Sequence, residues 1–226
     1  KRYSDTQQRT DDLFFEYARL LRGLRPRAFV AENVSGLVRG VAWGYFEEIL
    51  RTLRACGYRV KAKVLDAQWL GVPQGRQRLI LVGVREDLGL EAVHPSPLKQ
   101  PRYTIRDALP HLSGTKLVSG HAIIGRVRKR VDLMPGDLQF ALHVGGKSNY
   151  RKGHVWSGDR PSPTIMANGL GGVAPGEVLV QGQSGLRMFT IAELKRLCSF
   201  PDDFRLTGSF QQQWERLGRA VPPVMM

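Results

Sequence analysis

Three side chains carry most of the chemistry legible in this chain. Glu32 closes the short apolar run Phe29-Val30-Ala31, while Arg76 and Arg78 end the turn Gly71-Val72-Pro73-Gln74-Gly75-Arg76-Gln77-Arg78, where a second apolar run begins. A carboxylate and two guanidinium forks at the edge of a sheet suit a planar, hydrogen-bonding, partly anionic ligand, of which a nucleotide base is one. Partial burial of the carboxyl favours its protonated form and would let it act as a proton donor. The same residues have plainer readings: an acid capping a helix beyond Ser35, and a pair of solvated edge charges.

The elements that must hold these groups follow from periodicity. Leu13, Phe14, Tyr17, Leu20, Leu21 and Leu24 recur at helical spacing over residues 12 to 24. A short strand over Ala28–Ala31 comes next and delivers Glu32 to the carboxyl end of what is expected to be a parallel strand, where open α/β sheets bind their ligands. A second helix is expected from Ala42 to Cys56, with Phe46, Ile49, Leu50 and Leu53 on one face and Gly57 ending it. Tyr58, Val60, Ala62 and Val64 alternate with polar residues as in a half-buried strand. The unbroken run Leu79 to Val84 suits a strand covered on both faces. Helix, strand, helix, strand, turn, strand is the order of the later half of a doubly wound α/β sheet.

From Pro95 the pattern changes to frequent proline and glycine with little helical period. Residues 96 to 178 read as a smaller, irregular, β-rich domain, after a partial α/β domain over 1 to 95 and before a return segment over 179 to 226 that packs on the first. In that last part Thr190-Ile191-Ala192-Glu193 fits a capping box, Phe200-Pro201 stops the helix, and Ser209 opens another through Trp214 and Leu217.

The net charge of +14 is concentrated, with twelve Lys/Arg against four Asp/Glu between residues 96 and 160 and a dense run at Arg126-Val127-Arg128-Lys129-Arg130. Such a segment attracts polyanions, nucleic acid above all, a solvated basic surface being the plainer reading. No apolar run approaches a membrane span and no secretory signal opens the chain. Cys56 and Cys198 fall in apolar helical patterns as buried free thiols. The five histidines show no ligand spacing, so no metal site is expected.

Together these motifs resemble the cytosine-5 DNA methyltransferases. Phe29 to Val34 resembles that family's Glu-Asn-Val motif, and Gly71 to Arg78 its Gln-x-Arg-x-Arg motif. Arg160-Pro161-Ser162-Pro163-Thr164-Ile165 is similar to its Arg-Pro-x-Pro-Thr segment. Phe189 to Glu193, Phe200-Pro201-Asp202 and Gly218-Arg219-Ala220-Val221-Pro222-Pro223 resemble its closing region, and Lys1 to Phe15 the stretch after its catalytic loop.

The resemblance implies the latter part of a Rossmann-like sheet that uses S-adenosyl-L-methionine, with a smaller target-recognition domain over 96 to 178. It implies methyl transfer to carbon 5 of a cytosine flipped out of duplex DNA, as in restriction-modification systems. Glu32 would assist at ring nitrogen 3, Arg78 would hold the base carbonyl, and Arg76 would support the same pocket. Arg219, Ala220 and Val221 would lie on the cofactor side. Gln74, Arg151, Arg160, Thr164 and Gly169 would lie on the DNA side, with Thr164 and the Gly169–Gly172 turn near phosphates. A cytoplasmic location, bacterial or phage-encoded and drawn to the nucleoid through DNA, is implied too.

The chain also departs from the family. It holds no Pro-Cys-Gln tripeptide and no early glycine-rich cofactor turn, and Arg219 stands where asparagine is usual. A carboxyl-terminal portion, complemented by an amino-terminal part that carries the catalytic cysteine, accounts for this. A non-catalytic DNA-binding or regulatory module and an RNA-directed relative are the alternatives.

Overall fold

The computed structural model describes residues 13–99, 103–110, 139–142, 154–170, 178–182 and 185–226. By internal contacts the chain divides into two compact units, one of residues 1–65 and 77–96, the other of residues 66–76 and 97–226.

The first unit holds α1 (Leu13–Leu24), β1 (Ala28–Val34), α2 (Trp43–Arg54), nearly all of β2 (Tyr58–Asp66), and β3 (Gln77–Arg85). Helix α2 buries Phe46, Ile49 and Leu53, as its period requires, and Gly57 follows its end at φ +85°. These residues pack with Ala18 and Leu21 of α1 against Phe29, Tyr58, Val60, Leu79 and Leu81 of the sheet. Phe29 is the hub, edge-on to Tyr17 at 5.7 Å and to Tyr58 at 5.1 Å.

The strand order is β1–β3–β2. Here a correction is needed, because β1 and β3 run antiparallel, Ala28 opposite Val84 through Val34 opposite Arg78. The strand carrying Glu32 is therefore not half of a parallel pair with its neighbour. The chain enters β3 from β2 through the link over residues 67–76, which contains only a three-residue 3-10 turn, Ala67–Trp69, and so reverses the chain before β3. A parallel neighbour needs a crossover of a dozen or more residues. Instead Ala67 N donates to Arg76 O at 3.0 Å and the chain turns back. β3 is the most buried strand of the three, as its apolar run requires.

The second unit holds α3 (Ile105–Ala108), β4 (Gln139–Leu142), β5 (His154–Ser157), β6 (Ile165–Met166), β7 (Gly169–Leu170), β8 (Val178–Gly182), β9 (Gly185–Met188), α4 (Ile191–Leu197) and α5 (Phe210–Arg219). Strands β4 to β7 fall in the stretch 96–178, while β8 and β9 lie almost wholly in the segment that follows it. They form a four-stranded sheet, β5–β4–β8–β9, and the small β6–β7 hairpin. The core gathers Ile105, Leu109, Ile165, Phe189, Leu194, Leu197, Cys198, Trp214 and Leu217.

Both closing helices start on capping boxes. Thr190 accepts from Glu193 N in α4, and Ser209 accepts from Gln212 N in α5, with each third residue bonding back. Helix α4 ends before Phe200-Pro201, since Ser199 already adopts the left-handed conformation at φ +58°. Among the described residues no helix is long and apolar enough to cross a membrane.

Candidate active site

In the first unit the structure brings Glu32 and Arg78 together. Glu32 lies opposite Ile80 and Arg78 opposite Val34, so the two are diagonal neighbours on one face of the β1–β3 pair. Arg78 Nε meets Glu32 Oε1 at 2.6 Å, with the arginine side chain 15% and the glutamate 31% exposed. Arg78 Nη1 donates to the carbonyl of Gln77 at 2.8 Å, which fixes the guanidinium plane. A charge-assisted bond between partly desolvated groups is stronger than a solvated ion pair.

Glu32 also lines a groove of about 700 Å³ with Leu13, Phe14, Tyr17, Leu37 and Tyr45 among its walls. The groove is mainly apolar and aromatic, with a carboxylate on its wall. That combination can take a flat ring by packing and fix it by a few polar contacts. Val30 and Val34, on the same face as Glu32, remain half exposed at 50% and 55%.

The second unit gathers a different set, and two of its members are buried away from solvent. Gln74, expected close to DNA, is fully buried. Its amide nitrogen donates to Leu197 O and its oxygen accepts from Ile165 N. Arg76, expected in the same pocket as Arg78, is 1% exposed. Its Nη1 donates to Ile165 O at 2.7 Å and its Nη2 to Gly218 O at 2.8 Å. The two arginines therefore take different partners. Residues two apart share a face only within a strand, and Arg76 lies just before β3, so the spacing does not say which carbonyls or carboxylates will meet them.

Thr164, expected near phosphates, gives its hydroxyl hydrogen to Gly75 O. Gly169 is buried in the β6–β7 hairpin, opposite Met166. Arg160 is exposed and offers its carbonyl to Ile105 N at 3.0 Å. Arg219 is 71% exposed and bonds Glu215 one turn back on α5, at 2.6 and 3.0 Å. Ala220 and Val221 are half-buried where the chain leaves α5 in an extended conformation. Arg151, Gly171 and Gly172 lie outside the described residues.

Three contributors were not read from the sequence. Asp66 accepts from the backbone of Gln68 and of Arg76, holding the base of the 67–76 turn. Lys195, nearly buried, donates to the carbonyls of Asp202 and Phe204. Trp214 donates its indole hydrogen to Met166 O at 2.9 Å. The aspartate before a turn was a signal that could have been used; for Lys195 and Trp214 no local signal exists.

Neither cysteine is poised as a nucleophile. Burial pushes the Cys198 thiol up to about 11, against a smaller opposing effect of the Gln74 amide that donates to its sulfur at 3.3 Å. Cys56 donates to Thr52 O just beyond α2. Among the described residues no cluster of His, Cys, Asp and Glu could hold a metal ion.

Comparison with known proteins accords with the motif order. The chain is 33% identical to the Type II methyltransferase M.NgoFVII of Neisseria gonorrhoeae, over 94% of this chain and 59% of that protein. It is 28% identical to M.SacI of Streptomyces achromogenes, over 93% and 60%. The chain thus spans about 60% of the length of these curated relatives. Among solved structures, a DNMT2 triple mutant from Spodoptera frugiperda superposes with a TM-score of 0.64 at 16% identity, covering 98% of this chain and 71% of that one. S. pombe Dnmt2 gives 0.59 at 16% identity, covering 94% and 68%. At such identities the likeness shows the fold alone. The model of the C-5 cytosine-specific DNA methylases matches residues 1–226, and the chain belongs to that family.

Proposed function

We propose that this chain is a portion of an enzyme that transfers a methyl group from S-adenosyl-L-methionine to carbon 5 of cytosine in duplex DNA. The observation that carries the reading is Glu32 on the wall of an aromatic groove, held by Arg78 at 2.6 Å. Each partner stands in the family motif expected to hold it.

The chemistry follows from the ring. Addition of a thiolate to carbon 6 of cytosine pushes electron density onto the ring nitrogen and carbonyl. Glu32 hydrogen-bonds at ring nitrogen 3, and Arg78 donates to the carbonyl oxygen. Both contacts strengthen as charge develops there, so they favour the transition state over the ground state. In the structure the two groups bond each other. A bound base would take one acceptor or donor from each, with Arg78 kept in plane by Gln77 O. A base must remove the carbon-5 proton before the thiolate leaves.

S-adenosyl-L-methionine, when bound, supplies the electrophilic methyl group. The residues present fit one edge of such a site. Ala220 and Val221 form a short extended shelf of small apolar side chains, and Arg219 is turned outward by Glu215. That outward turn keeps the Arg219 guanidinium, present in place of the usual asparagine, from filling the shelf.

The thiolate and the rest of the cofactor site belong, in this reading, to a complementing amino-terminal portion. Three observations support it: among the described residues β1 is an outer strand of its sheet, Val30 and Val34 beside Glu32 are half exposed, and the matched relatives are longer than this chain. An outer strand flanked by exposed apolar side chains is a template for further pairing. Residues 96–178 serve as the target-recognition domain, with Arg160 and the β6–β7 hairpin facing the DNA backbone.

The test is to mix this chain with an amino-terminal portion carrying a Pro-Cys-Gln loop and to measure transfer of labelled methyl groups to a cytosine-containing duplex. Transfer that needs both portions is expected. Salt-sensitive duplex binding without transfer under any complementation would mean a non-catalytic module instead.

A further inference from the structure

The β6–β7 hairpin and the carboxyl end of α5 are some fifty residues apart in sequence, yet one buried set of bonds joins them. Arg76 spans Ile165 O and Gly218 O. Gln74 accepts from Ile165 N at 3.2 Å and pairs as an isolated bridge with Ser162. The Trp214 indole reaches Met166 O. At Gly218 a β-carbon would stand 2.2 Å from Met166 C and 2.3 Å from Ala167 N, so the helix rests directly on the hairpin backbone.

A guanidinium taken out of water to hold two carbonyls does more than fill space. It is planar, and its donors are fixed relative to each other, so a shift of one carbonyl is imposed on the other. Stability alone is a weak reason for such a group, because well-packed apolar residues often serve as well or better. What the fork specifies is registry. It sets the hairpin backbone against the last turn of α5, from which Arg219, Ala220 and Val221 continue.

We propose that Arg76, seated beside Gln74, is a positioning residue that couples the β6–β7 hairpin to the Arg219–Val221 segment. Order that duplex DNA imposes at the first is then already in place for S-adenosyl-L-methionine at the second, so each raises the other's affinity, by the same factor. The inference rests on the assignment of hairpin to DNA and segment to cofactor under the proposed function.

Backbone amide exchange of this chain, with and without a short GC-rich duplex at low salt, tests it. In the unsubstituted chain the duplex slows exchange in residues 165–170 and also, by about fivefold or more, in residues 216–221. In Arg76→Lys, which keeps the charge but loses the fork, the hairpin stays protected while the slowing at 216–221 falls below about twofold. Trp214→Phe, which keeps the ring and loses the bond to Met166, weakens the transmitted slowing in the same direction. It carries the test if Arg76→Lys fails to unfold in a single cooperative transition. Transmitted slowing that persists in the folded variants, or that is absent from the unsubstituted chain while the hairpin is protected, overturns the coupling. Absence of hairpin protection by any duplex overturns the DNA assignment itself.

Discussion

The Glu32–Arg78 contact sets what single residues can be asked. Arg78 offers a planar fork fixed by Gln77 O, so Arg78→Lys keeps the charge and loses the geometry. In the complemented enzyme it should lower kcat by about a hundredfold, as loss of a transition-state donor does, with a smaller effect on KM for DNA. A rise in KM with kcat unchanged would instead point to a contact made equally in the ground state. Cys198 gives a prediction in pH. Its thiol holds a proton more tightly when folded, with a value of about 11 against 9.0 for the free group. Its stabilising contribution is thus complete below about pH 9 and is lost as pH rises through 11, amounting to roughly 2–3 kcal/mol at most. Urea unfolding of Cys198→Ala should show a shallower alkaline decline than the unsubstituted chain. The part that remains includes Tyr17 and Tyr58, whose hydroxyls are also pushed up by burial. The residue types were legible in the sequence, and so was the pairing of an acid with a guanidinium. What Gln74 and Arg76 do was not, because a motif names donors without naming the distant carbonyls they will meet.

At the scale of elements, local signals travelled well. The stripe of α2, the alternation of β2, the apolar run of β3 and the Thr190–Glu193 box all predict what the structure contains. Strand direction was not legible, since the same apolar run suits a parallel or an antiparallel centre, and the 67–76 link decides it. The ending of α4 before Phe200-Pro201 was legible, but the left-handed turn at Ser199 was not. A non-glycine residue at φ +58° stores strain. The Ser199 hydroxyl accepts from Val224 N, so its two roles separate by comparing substitutions that both remove it. Ser199→Gly should be more stable than Ser199→Ala by about 1 kcal/mol in urea unfolding, the reverse of their order inside a helix. Gly218→Ala should cost about 1–3 kcal/mol, because Met166 and Ala167 backbone atoms cannot yield as a side chain would. A fall in thermal midpoint without loss of cooperativity is the expected result.

For the whole molecule the charge of +14 means that duplex binding, under the proposed function, should depend on salt. Affinity for a GC-rich duplex should fall by about a thousandfold between 50 and 200 mM salt if six or more phosphates are neutralised. Arg160→Ala should reduce the slope of log affinity against log salt by about one. An unchanged slope would remove Arg160 from the backbone contacts. The family was legible from ordered motifs, because their order survives where each alone is weak, and the family match covers the full 226 residues. The central claim is that Glu32 helps to activate cytosine in an enzyme of which this chain is one portion. Its most direct test is labelled methyl transfer from S-adenosyl-L-methionine to duplex DNA by the complemented protein, with and without Glu32→Ala. The account predicts that the substitution lowers kcat by about a hundredfold or more while duplex binding persists. Transfer by Glu32→Ala at the unsubstituted rate would contradict it.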